Sequence, residues 1–159
     1  MLGVRIKFLL LRNYWWLLGV AFLAAILYVV STAKPLQVAI PILGSILSLF
    51  YFVQKQKLEE LKVFREIFEE CNCRYNDMNE QLAAISEQPD GELTPDEKHL
   101  LIDYFNLCAE EYLYYCRGFI DPEVWEAWRN GMNPIFAAPR VAELWAKESS
   151  SNSYYGFKM

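Results

Sequence analysis

No aspartate or glutamate occurs before Glu59, and His99 is the only histidine in 159 residues. There is no Walker loop and no G-x-G-x-x-G, which excludes the two common glycine-rich phosphate cradles. No alternating strand pattern or internal repeat is present, so the chain reads as all-α. The four cysteines, Cys71, Cys73, Cys108 and Cys116, lack the spacing of a disulfide scaffold. Cys71 and Cys73 form C-x-C, whereas zinc sites prefer two to four intervening residues, so no metal is expected. Histidine-based general-base chemistry could use only His99, and no serine or cysteine stands beside it. Glu69-Glu70 and Glu110-Glu111 are adjacent carboxylates that point to different helix faces and read as solvated surface. No catalytic constellation and no cofactor are therefore expected, and an enzyme is not.

What is present is strongly divided. Residues 1–53 carry four basic and no acidic side chains, a charge of +4, whereas residues 54–159, with 11 basic against 20 acidic, carry −9. Two uncharged apolar runs, Tyr14 to Val30 and Leu36 to Val53, are 17 and 18 residues long. Each would cover roughly 26 Å as a helix, close to the thickness of a hydrocarbon core once the ends are completed. The expected fold is thus a two-helix transmembrane hairpin over 1–53, with spans about 14–33 and 36–53, followed by a small cytosolic helical domain. Arg5, Lys7 and Arg12 before the first run and Lys55, Lys57, Lys62 and Arg65 after the second place both termini in the cytoplasm. Ser31-Thr32-Ala33-Lys34-Pro35 would then be the outer tip, and the location a bacterial inner membrane.

Residues 54–159 form the second domain. From Gln54 to Ser86 there is neither proline nor glycine. Leu61, Phe64, Phe68, Cys71, Tyr75, Met78, Leu82 and Ile85 recur at steps of three and four, a heptad pattern. A stalk helix over 54–86 is expected, with Leu61, Phe64, Phe68, Tyr75 and Met78 as its self-association positions and the last two turns packing on the chain's own domain. Thr94-Pro95-Asp96-Glu97 predicts a capping box opening a helix over 95–117, and Gly118 closes it. Asp121-Pro122-Glu123 starts a helix over 122–130. The stretch from Asn133 to Pro139 reads as a connector, and a last helix covers 139–148. Tyr154, Tyr155 and Phe157 are placed to dock back onto it.

The charge of the second domain opposes binding to long nucleic acid. A small anion needs only a few converging donors, for which Lys98, His99, Arg117, Arg129 and Arg140 are candidates, with Trp128 as a stacking surface. Solvated or salt-bridged side chains remain the plainer account of these residues.

Tyr104 to Asn106, Gly118, Ile120-Asp121, Trp145 and Tyr154 to Phe157 resemble a bacterial domain of unknown function whose members are often membrane-anchored. Leu107 and Cys108 stand where that pattern has a glutamate. The expected architecture also resembles the two-span effectors of anti-phage defence, of the retron type or the type III CRISPR type that senses cyclic oligoadenylate. This resemblance implies a homo-oligomeric effector that senses a cyclic oligonucleotide and disrupts the membrane. The alternative is a membrane-anchored adaptor that recruits a protein partner.

Overall fold

The structure, a computed structural model, describes residues 16, 19–31, 36–88 and 90–159, with the side chains of 36–39 outside the description. The described residues form helices and no strand: α1 (19–31), α2 (Leu36–Glu87), α3 (Pro95–Cys116), α4 (Pro122–Ala137) and α5 (Pro139–Ser149). The chain divides into two compact units, Met1–Val63 and Phe64–Met159.

Among the described residues no helix is long and apolar enough to cross a membrane. This corrects the expected transmembrane hairpin, and the inner-membrane location built on it loses its support. On α2 the uncharged stretch ends at Val53 and meets Gln54-Lys55-Gln56-Lys57. Thr32 to Pro35 of the expected tip, and the cations Arg5, Lys7 and Arg12 that set its orientation, lie outside the described residues. The expected stalk, 54–86, is the later part of α2. In the first unit no described residue is buried.

The second unit has a core, and α3 is its centre. Its start is fixed locally: the Thr94 N–H donates to Glu97 Oε2 at 2.7 Å and the Glu97 N–H to Thr94 Oγ1 at 3.2 Å. Its end is equally local. Gly118 takes φ 76°, its N–H donates to the Tyr115 carbonyl, and that of Phe119 donates to the Tyr114 carbonyl. This is the Schellman arrangement that favours glycine. Between these caps Leu101, Tyr104, Phe105, Leu107, Cys108, Ala109, Glu111 and Tyr115 are all buried.

The helix expected over 122–130 continues to Ala137, through Gly131 and Pro134. Glycine costs about 1 kcal/mol and proline about 3 kcal/mol inside a helix. Continuing the helix buries Met132, Ile135 and Phe136, each worth about 1.5–3 kcal/mol, and that gain exceeds the cost. Ala138, extended at ψ 129°, ends α4 and caps α5, as the residue before Pro139 must avoid the helical region.

The C-terminal aromatics do dock. Asn152, Tyr155 and Gly156 take positive φ and curl the tail so that Tyr154 and Phe157 are buried while Tyr155 is exposed. Tyr154 lies 5.0 Å from Trp145, and Phe157 lies 5.6 Å from Trp145 and 5.9 Å from Phe136, between ring centroids.

Candidate functional site

Two features of the second unit stand apart from an ordinary apolar core: an aromatic surface and a buried polar cluster. The surface joins α2 to α4. Phe64 and Phe68, four residues apart, share one face of α2 with ring centroids 5.7 Å apart. Trp128 stacks on Phe68 at 5.6 Å and 17°. Trp125, one turn earlier on α4, is buried and stacked on Tyr115 at 5.4 Å, which leaves Trp128 at the rim of the core. Phe68 remains 37% exposed even with Trp128 against it.

The heptad stripe of α2 therefore divides. Cys71, Leu82 and Ile85 are buried. Phe64 and Met78 are half-buried, while Phe68 and Tyr75 (36%) keep substantial exposure. Leu61, in the first unit, is exposed. Beside the aromatic surface, Arg65 Nε meets Glu69 Oε1 at 2.7 Å, with both side chains exposed. Arg129 is exposed next to Trp128. The structure thus brings Trp128, a stacking candidate, together with Phe64 and Phe68, two self-association candidates.

The cationic candidates separate. Arg140 is buried and all three of its guanidinium nitrogens are engaged. It donates to the Gly91 carbonyl (3.1 Å), Gln88 Oε1 (3.0 Å), the Glu92 carbonyl (3.1 Å) and Glu97 Oε2 (3.0 Å). It fastens the start of α5 to the α2–α3 loop and to the capping box. The Thr94 N–H, with lesser help from the Thr94 hydroxyl and Arg140, holds the Glu97 carboxyl below its ordinary pKa. Lys98 and His99 are exposed near the N-terminus of α3, and Arg117 is exposed at its other end. Nineteen residues of helix, roughly 28 Å, separate Lys98 from Arg117. These two cations cannot hold one small anion together.

The polar cluster lies where α2 meets α3. Glu111 is 6% exposed. It shares a helix face with Tyr104 and Cys108, both buried, at steps of four and three. The Tyr104 hydroxyl is buried without a nitrogen or oxygen partner. From α2 come the buried Cys71 and the half-buried Arg74, which forms an ion pair with Glu110. Burial raises the Glu111 carboxyl to about 8 against the opposing pull of Arg74, with Glu110 adding to the rise. Burial likewise pushes the Cys71 thiol up to about 12 and the Cys108 thiol and Tyr104 hydroxyl upward. The two buried cysteines are protonated, unreactive thiols at neutral pH.

Glu111 was expected on the solvated surface with Glu110. The available signal was its spacing, since it falls seven residues after Tyr104 and three after Cys108 on the apolar stripe. All four cysteines are free. Among the described residues no three His, Cys, Asp or Glu side chains are grouped to hold a metal. Comparison with protein-family models, curated proteins and solved structures gave no match.

Proposed function

We propose that this chain is a helical assembly module, and that its second unit associates with a second copy through the Phe64–Phe68–Trp128 surface. The observation that carries this reading is Phe68: a large aromatic side chain on a heptad position, still exposed after stacking on Trp128. Aromatic residues dominate the binding energy of protein interfaces. A second copy is the occupant favoured by charge. The rim carries Arg65, Glu69 and Arg129, both signs within one patch. A two-fold axis through such a patch can set Arg129 of one copy over Glu69 of the other.

Sedimentation of the full chain, in a non-ionic detergent that masks the exposed apolar side chains of the first unit, tests the proposal. Phe68→Glu is expected to weaken self-association by about 30-fold, the equivalent of about 2 kcal/mol. Phe119→Glu, at an exposed phenylalanine elsewhere on the unit, should leave it unchanged. Equal behaviour of the two variants removes the surface from the proposal.

Sensing of a cyclic oligonucleotide is a second, narrower proposal. Its support is the exposure of Lys98 and His99 near the N-terminus of α3, where the helix dipole favours an anion. Asp96 and Glu97 lie in the first turn and oppose it. Native mass spectrometry of the full chain with cyclic oligoadenylate decides: a stoichiometric adduct lost in Lys98→Glu supports sensing, and no adduct removes it.

A further inference from the structure

The cluster around Glu111 goes beyond assembly. A carboxyl in this position does not serve packing, because an apolar side chain of similar volume would fill the space without a desolvation cost. The nearby cation, Arg74, is committed to Glu110 at the rim. Glu111 therefore has no cation of its own, and as a carboxylate it would be a buried charge that Arg74 only partly compensates. The Tyr104 hydroxyl on the same face of α3 is also buried, with no nitrogen or oxygen partner and only the Cys108 thiol to bond. Tyr75 of α2 packs over Tyr104, with ring centroids 6.4 Å apart.

The titratable and charged groups about Glu111 are few. From α2 they are Cys71 and Arg74, with Glu70 acting on both. From α3 itself they are Tyr104, Cys108 and Glu110. Among the described residues, no charged group of α4, α5 or the tail acts on Glu111.

We propose that the α2–α3 seam of the second unit is a proton-responsive latch, closed while Glu111 holds a proton and loosened when that proton leaves. On ionisation the Glu111 carboxylate competes with Glu110 for Arg74, and one of the two carboxylates is left unpaired at the seam. The sign follows from linkage. The folded-state value of Glu111, about 8, lies above its ordinary 4.5, so the folded state binds the extra proton between those values. The stabilisation is complete below about 4.5 and is lost as the pH rises through about 8.

Hydrogen exchange of the full chain from pH 6 to 9, corrected for the intrinsic base catalysis of exchange, tests the latch. The opening constant of α3 amides should rise about tenfold between pH 6 and 7 and level off above about 8 in the wild type. Glu111→Gln, which copies the protonated carboxyl, should remove that rise. Parallel wild-type and variant profiles overturn the proposal. Carbon-13 carboxyl spectroscopy of the wild-type chain serves as a second readout that needs no folded variant. A buried glutamate resonance titrating near 8 is the expected result; titration of every glutamate below pH 6 overturns it.

Discussion

The two units are built from similar apolar material and treat it in opposite ways. In the first, Val20, Leu23, Leu27, Val30 and Ile40 are exposed, and no described residue is buried. In the second, Leu101, Phe105, Cys108, Ile120 and Val141 are wholly buried. The difference is the number of sides from which a helix is covered. α3 meets α2 through Tyr75 and Arg74, α4 and α5 through Phe136 and Trp145, and the tail through Tyr154. Apolar residues form a core only where other elements arrive to exclude water on several sides.

Four substitutions test how deep this difference runs. The largest effect is expected at Phe105, whose ring meets Phe136 at 5.3 Å and Trp145 at 5.0 Å. Phe105→Ala should destabilise the second unit by about 3–5 kcal/mol, read by urea denaturation. Next comes Arg140→Met, which leaves the Gly91 and Glu92 carbonyls without their donor and Glu97 with the Thr94 N–H alone. A loss of about 2–4 kcal/mol and faster proteolysis of the loop around Gly91 are expected. Gly118→Ala forces a side chain into φ 76° and should cost about 1 kcal/mol. Leu27→Ser lies at the other extreme. At an exposed position of the first unit it should leave the unfolding of the second within about 0.5 kcal/mol. A large effect from Leu27→Ser would break the contrast between the units, and a small one from Phe105→Ala would deny the second its core.

The helix ends of the second unit were legible because their causes are local. Thr94 with Glu97, Asp121 with Pro122, and Gly118 each act within a few residues. The tail was half legible: its aromatics marked it for docking, but the left-handed turn at Tyr155 and Gly156 was not foreseeable. Other features escaped for physical reasons. Gly131 and Pro134 argued for a loop, and the long-range burial of Met132, Ile135 and Phe136 outweighed them. Arg140 looked like a ligand donor, because the carbonyls that engage it lie about fifty residues earlier in the chain. The apolar runs of residues 1–53 suggested a hairpin across a bilayer, whereas no helix among the described residues is long and apolar enough to cross one.

By itself the sequence determined the all-helical class of the described residues, the caps that start and stop α3 and the start of α4, and the heptad spacing on α2. These depend on backbone hydrogen bonds and side-chain periodicity, which neighbouring residues settle among themselves. Only the tertiary structure decided which turns of the α2 stripe are buried, that Arg140 is a clasp, and that Glu111 rather than Glu110 lies inside. Burial, and the shift in protonation that comes with it, depends on which distant elements cover a side chain; the spacing of Glu111 placed it on the apolar stripe, but only those elements bury it.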